Sequence, residues 1–496
     1  MWGGLTNALN TATTSLATNA GLQAVVARNV SNAQNKTGYV SAKVANVVTV
    51  YGGAGVIQSV RNLTSASLFN AMLSGTSSSA AAQALSDGVT LLQKTAADAT
   101  TTTDSTTAAQ SPSTLLQALT SALQTYSSSP SNASAAAAVV TAADRLVNGL
   151  NDATTVTQNV RKTADQNMAT SVGTINTLLT QFQSVNSVIV QGTASGADIT
   201  DALDERDTIL QSLSKEIGIT TVGNSNGSMS IYTDSGVTLF ETTPRDVSMQ
   251  ATTAYSASTT GAAVYVDGVP VTGANAVMPI QSGALAGYAQ LRDTIAPTYQ
   301  SQLDALAGGL INAFAETNQS TGGQLAGLFT YSGGPALPGS TAIPGLAGDI
   351  SVSTAVDPAQ GGSYNLIRDG GINGAAYVQN TTGASGYNAA LLADITAISA
   401  SQTFPSGTAL STANSVKTYA SESASWLNAQ YQTTSNDATY QATLLSQASQ
   451  ALSNATGVNI DSQMSMMLEY ENSYQASAKL ISTINNMFGA LLQAVS

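Results

Sequence analysis

Both ends of this chain carry a helical stripe, and that constrains it more than any other feature. Near the start, apolar residues recur at Trp2, Leu5, Leu9, Ala12, Leu16, Ala20, Val26 and Val30. Near the end they recur at Met467, Tyr470, Tyr474, Ala478, Ile481, Ile484, Phe488, Leu491 and Val495. Steps of three and four residues lay such positions along one face of a helix, as in a coiled-coil seam. Residues 1–27 and 480–496 hold no charged side chain. A helix with one face in water normally shows Lys, Glu or Arg there, and burying a charge is costly. Uncharged Asn, Gln, Ser and Thr faces therefore suit burial against neighbouring subunits better than ordinary packing on the chain's own domain. The expectation is a protein that assembles through its ends.

Composition narrows the remaining choices. A chain of 496 residues can bury a large core and is long enough for two to four domains. Hydrophobic residues make up 43 %, which argues against disorder although charged residues are only 9 %. A net charge of -13 disfavours a general grip on nucleic acid and attraction to an anionic membrane surface. No apolar run is long enough to span a bilayer, so membrane insertion is not expected. With no Cys there is no disulfide or thiolate site, and with no His the commonest general base and metal ligand are missing. The N-terminus lacks the basic and apolar regions of a cleaved signal peptide. That fits a cytoplasmic protein, or one exported by an apparatus that reads an uncleaved N-terminus.

The chain reads as nested. Turn formers from Asn29 to Tyr39 end the first helix. A Val- and Thr-rich segment from Val40 to Val60, broken at Gly52-Gly53, reads as a hairpin. Residues 63–97 are helical in composition, and 100–113 form a Thr/Ser loop. A long helix is expected over 138–191, with others over 199–217, 297–318 and 411–453. Between them, 219–280 alternates short strand patterns with Asn226-Gly227 and Asp267-Gly268, where a two-residue hairpin turn wants positive φ. The Gly- and Pro-rich stretch 325–386 holds Ile350-Ser351-Val352-Ser353. The expected fold is α+β, mainly α. Residues 1–38 and 457–496 form a terminal helical core, coiled-coil-like, from the paired ends. Residues 39–217, 284–324 and 387–456 form a long helical bundle. Residues 219–283 and 325–386 form a β-rich inserted outer domain.

Several segments resemble the flagellar axial protein family, in the family's order, and among its branches the hook-associated one. Asn29–Tyr39 is similar to a family stretch of paired Asn residues ending in a Thr-Pro-Gly-Tyr turn, although the Pro is missing here. Gly55-Val56-Ile57 with Arg61 is similar to the next segment. Leu203-Asp204-Glu205-Arg206-Asp207, with Leu210, Leu213 and Ile217-Gly218, resembles the family's Leu-Asp-x-Arg-Asp helix. Gly283–Gly287, Leu291-Arg292-Asp293 and Leu303-Asp304 resemble the segment after the insertion. Gly457-Val458-Asn459-Ile460-Asp461 and the run from Tyr474 through Lys479 to Ile481 complete the series. The C-terminal segment alone would also suit hook and rod proteins; the interior helix favours the hook-associated branch over those and over flagellin.

The resemblance implies a homo-oligomeric helical tube around an export channel. It further implies hook protein on one side, a second hook-associated protein or the filament on the other, and a cytoplasmic export chaperone on the C-terminal segment. The place would be the extracellular flagellum, and the role structural: joining hook to filament and supporting filament assembly. Flagellin, a hook or rod subunit, and more distantly a secreted adhesin or phage tail component remain as alternatives. The expected assembly interface comprises Leu5, Leu9, Leu16, Val26, Val30, Met467, Tyr470, Tyr474, Ala478, Ile481, Ile484, Phe488, Leu491 and Val495. Asn32, Gly38, Tyr39, Ile460 and Gln475 belong to the same expected interface.

No catalytic constellation, cofactor site or metal site stands out, and the chain is not expected to be an enzyme. The acidic cluster Asp198, Asp201, Asp204, Glu205 and Asp207 reads as a solvated, capped helix start, favoured by the helix dipole. Asp267-Gly268 and Asp369-Gly370 read as turns. Ordering a residue costs about 1–2 kcal/mol of backbone entropy, and a buried large apolar side chain returns about 1.5–3 kcal/mol. With one residue in three apolar and well placed, each end is expected to order only against the other and between subunits.

Overall fold

A computed structural model describes residues 2–35, 40–50, 53–96, 111–339 and 341–495. Helix α1 (Trp2–Asn35) leads to a hairpin of β1 (Lys43–Thr49) and β2 (Gly55–Asn62), antiparallel with Lys43 opposite Asn62. Four helices follow: α2 (Ala66–Gln93), α3 (Pro112–Ser128), α4 (Ala133–Ser195) and α5 (Thr200–Glu216). The starts of α3 and α4 are built locally. Ser111 accepts from the Thr114 amide with Pro112 at the first helical position. Asn132 accepts from the Ser134 and Ala135 amides, and Gly196 ends α4 in the left-handed conformation.

Two small antiparallel sheets come next. One is β3 (Ile219–Gly223), β4 (Met229–Thr233) and β5 (Thr238–Phe240); the other is β6 (Val247–Ser248), β7 (Tyr265–Val266) and β8 (Val269–Pro270). Helix α6 (Ala284–Gln290) runs through a π-helical turn at Leu291–Ile295 into α7 (Ala296–Ala313). Pro297 supplies the cause: it has no N–H for the carbonyl of Asp293, and its ring crowds that oxygen. The widened turn swings Arg292 inward, where its fully buried guanidinium pairs with Asp165 and Asp293.

The chain then makes β9 (Glu316–Thr317) with β10 (Gln324–Leu325), and β11 (Phe329–Thr330) with β12 (Ser351–Val352). Short helices α8 (Leu346–Asp349) and α9 (Asn365–Asp369) lie around them. Helix α10 (Ala389–Ser399) and the pair β13 (Ser401–Thr403) and β14 (Ala413–Ser415) precede two long helices, α11 (Val416–Thr456) and α12 (Ile460–Val495).

Helix α4, 63 residues and so about 95 Å long, organises the body. Its first half, from Ala135 to Ala164, packs into one core with α3, α7, α10 and the start of α11. Its second half, from Met168 to Ile189, packs into another with α5, α6 and the strands β4 to β7. Phe182 and Phe240 meet edge to face there at 4.9 Å. Helices α2 and α11 run antiparallel, with Gly75 against Leu445 and Gln93 bonded to Asn428.

The fold is mainly α, as read from the sequence, with differences in detail. The Thr/Ser stretch gives way to α3 at Pro112, while 97–110 lies outside the described residues. The helix expected from Pro297 starts at Ala284, because the π-helical turn carries it past the proline. Helix α10 had no counterpart in the sequence reading. The 325–386 stretch is not β-rich. Its paired strands are two residues long, set among turns at Gly345, Gly361, Gly370, Gly371 and Gly374, all with positive φ. Positive φ at this density breaks a ladder before it can extend. Its apolar residues Phe329, Leu346, Ile350, Val356 and Ile367 join the core on the first half of α4.

Candidate assembly surface

Helices α1 and α12 pack along each other. Asn19 Nδ2 donates to Ser473 Oγ at 3.0 Å, and Asn29 Nδ2 donates to Gln463 Oε1 at 2.9 Å. Ten residues forward on α1 correspond to ten residues back on α12, so the pair is antiparallel. The other side of α1 rests on the hairpin: Thr18 Oγ1 donates to the Gly55 carbonyl, and Ile57 fills the space beside Gly21.

Of the expected interface residues, Val26 and Ile484 are buried. Leu5, Leu9, Leu16, Val30, Asn32, Met467, Tyr470, Ile481, Phe488 and Leu491 are half-buried. Ile460, Tyr474, Gln475 and Ala478 are exposed, and Gln475 reaches only to Glu471 on its own helix. Gly38, Tyr39 and the Val495 side chain lie outside the described residues. Beside the seam, α12 carries further apolar side chains that α1 does not cover: Met464 at 48 % exposure, Leu468 at 60 %, Leu480 at 55 % and Leu492 at 59 %.

The root of the pair is a buried polar network that the sequence reading missed. Asn29 binds the Lys43 backbone at two points, donating to its carbonyl at 2.9 Å and accepting from its amide at 2.8 Å. The Lys43 ammonium, fully buried, donates to Asp204 on α5. Asp204 also accepts from Ser41 Oγ at 2.8 Å and Asn62 Nδ2 at 2.9 Å. Arg28, one residue before Asn29, forks onto Asp198 at 2.8 Å and Asp201 at 2.6 Å. A backbone bond from the Ala42 amide to the Thr456 carbonyl ties in the end of α11.

The acidic cluster is only in part the solvated helix start expected: Asp198, Asp201 and Glu205 are exposed, while Asp204 is buried. Asp198, one residue before the Ile199 N-cap of α5, accepts from the Thr200 amide, and with Asp201 and Asp204 it also receives the cations of the terminal segment. Arg206 points away and donates to the Gly227 carbonyl. Burial works to raise the Asp198 carboxyl; the Thr200 and Arg28 hydrogen bonds outweigh it and hold the group down to about 2. Desolvation pushes Asp207 the other way, up to about 7, against the pull of Arg206. Asp267-Gly268 is the turn expected of it, with both residues at positive φ between β7 and β8. Among the described residues, no group of three or more Asp and Glu side chains is placed to hold a metal ion. No helix among them is long and apolar enough to cross a membrane.

Residues 103–327 match the family described as the flagellar hook-associated protein FlgK helical domain. Residues 448–494 match the flagellar basal body rod FlgEFG protein C-terminal family. These two matches, in this order on one chain, define a flagellar axial protein. Within that class the longer match is to the helical domain of the FlgK hook-associated branch. Among solved structures it is similar to the flagellar hook junction protein FlgK from Burkholderia pseudomallei, at 20 % identity and a TM-score of 0.42. That likeness covers 53 % of this chain and 47 % of the other, about half of each, and the assignment rests on the sequence matches instead. A search of curated proteins gives no significant match.

Proposed function

We propose that this chain is a structural subunit of the flagellum that joins hook to filament and supports filament growth through its paired terminal helices. The observation that carries the reading is α12: seated on α1, it still leaves Met464, Leu468, Leu480 and Leu492 open. In an assembled tube, neighbouring copies would cover that flank. The partners are then further copies of this chain, hook protein on one side, and a second hook-associated protein or the filament on the other. An export chaperone would cover the same apolar flank of α12 before secretion. The chain would leave the cell without loss of an N-terminal signal and reside in the extracellular flagellum. In this reading residues 219–283 face outward, and Asn32, Gly38, Tyr39 and Gln475 contribute to subunit contacts.

Immunogold labelling of intact flagella, with antibody raised against residues 219–280, tests the placement. A single band where hook meets filament is the expected result. Label along the whole filament or hook would make the chain a bulk subunit, and absence of flagellar label would overturn the reading.

A further inference from the structure

The chain contains three Asn-Gly steps: Asn148-Gly149, Asn226-Gly227 and Asn373-Gly374. In such a step the Gly amide nitrogen can attack the Asn side-chain carbonyl, because Gly has no Cβ to obstruct the approach. The fold puts the three in different surroundings. Asn148 lies inside α4, whose hydrogen-bonded turns hold the following amide away from the side chain. Asn373 is pinned, its Nδ2 donating to Glu316 Oε2 at 3.0 Å and to the Ala326 carbonyl at 2.8 Å.

Asn226 differs from both. It is exposed in the loop 224–228 between β3 and β4. Only Gly227 takes positive φ there, so the connection is a five-residue loop and not the two-residue turn the sequence suggested. Asn226 Oδ1 accepts from the Ser228 amide at 3.0 Å and from the Ser228 hydroxyl at 2.7 Å. Two donors on one carbonyl oxygen favour the negative charge that an attacked carbonyl develops. The Gly227 amide is engaged only by the Asn224 carbonyl of the same exposed loop, at 3.0 Å.

We propose that Asn226 is a self-modifying site that deamidates in the folded protein while the other two Asn-Gly steps are protected. Gly227 N loses its proton to solvent and bonds to Asn226 Cγ. The Cγ–Nδ2 bond breaks, and the amide leaves as ammonia. Water opens the resulting five-membered imide at either carbonyl, giving Asp or isoaspartate at position 226. The new carboxylate arises one residue from the carbonyl that Arg206 Nη1 holds at 3.0 Å, where the Arg206 Nε is buried without a partner. The inference stands on the chain's own chemistry and is independent of its place in the flagellum.

Peptide mass spectrometry of the purified full chain, aged at mildly alkaline pH, tests the site. Trypsin separates the three steps, since Arg145 and Arg161, Lys215 and Arg245, and Arg368 and Lys417 bracket them. Conversion at Asn226 should run ahead of Asn148 and Asn373 by at least about tenfold, because the helix and the Glu316 cradle must open before those two react. In urea the three rates should converge. Ser228→Ala should slow Asn226 by about tenfold, less than an oxyanion donor is worth in a rigid enzyme site because the Ser228 amide remains. Equal rates at the three steps in the folded chain, or an Asn226 that stays an amide, would overturn the proposal. An unchanged rate in Ser228→Ala would remove the role given to the two donors.

Discussion

Replacing Lys43 with Met removes the cation at the centre of the joint between the terminal pair and the body. The isosteric stem keeps the packing, but Asp204, itself 4 % exposed, is left with only the Ser41 hydroxyl and Asn62 amide as donors. Breaking a buried ion pair from one side typically costs about 3–5 kcal/mol. The two remaining neutral donors put Lys43→Met near the lower end, about 3 kcal/mol. At about 1.4 kcal/mol per decade, that is roughly a hundredfold rise in the population of opened joints. Hydrogen exchange resolved by peptide is the assay: protection should fall in α1, the β1–β2 hairpin and the start of α12, while the centre of α4 keeps its own. The double variant Lys43→Met with Asp204→Asn should recover most of the loss, since the neutral amide still accepts from Ser41 and Asn62 and no charge is stranded. A single variant with wild-type exchange in α1 would refute the role assigned to the pair. A double variant no better than the single would show that lost packing, not an orphaned charge, sets the cost.

Three further outcomes follow from other parts of the structure. Asp207 is raised to about 7 by desolvation, so the folded state holds a proton there that the unfolded chain releases near pH 4. Stability therefore falls as pH rises from about 4 to about 7 and then levels, and Asp207→Asn should flatten that slope and stabilise the neutral protein by on the order of 2 kcal/mol, read from urea melts across pH. Gly287→Ala would drive a methyl into the Ala81 carbonyl oxygen, where backbone must yield, and should cost about 1–3 kcal/mol in thermal unfolding. Changing Leu468, Leu480 and Leu492 together to Ser should leave monomer unfolding within about 1 kcal/mol, as these side chains are more than half exposed, while abolishing incorporation into flagella scored by the immunogold band. Full incorporation of that variant would remove the exposed flank from the assembly surface.

The elements with regular period were legible from sequence. The terminal stripes, α4 and α5 announce themselves through apolar spacing, and Asp267-Gly268 through turn chemistry. Helix α3 was readable in principle, since Ser111-Pro112 is a cap followed by proline at the first helical position; the Thr/Ser run before it masked the start. The root network was not legible. Lys43 and Asp204 are separated by 161 positions, and a charge in a polar segment looks solvated until the fold buries it. Asn29 gave a faint signal as an Asn just where the stripe ends, but its partners Lys43 and Gln463 belong to other elements. The π-helical turn was hidden for a similar reason: Pro297 reads as a helix start, and only the packing of Leu291 and Arg292 shows the helix continuing behind it.

Both hydrophobic cores are threaded on α4, so the two halves of the body are joined by one uninterrupted helix. A push delivered at one end of that rod arrives at the far end as displacement, with little lost to bending between. Compliance is displaced to the joint held by Lys43, Asn29 and Arg28, which sets the angle between the terminal helix pair and the rod. In a coupling loaded at every rotation, the body would then act as a strut and the polar root as the bearing.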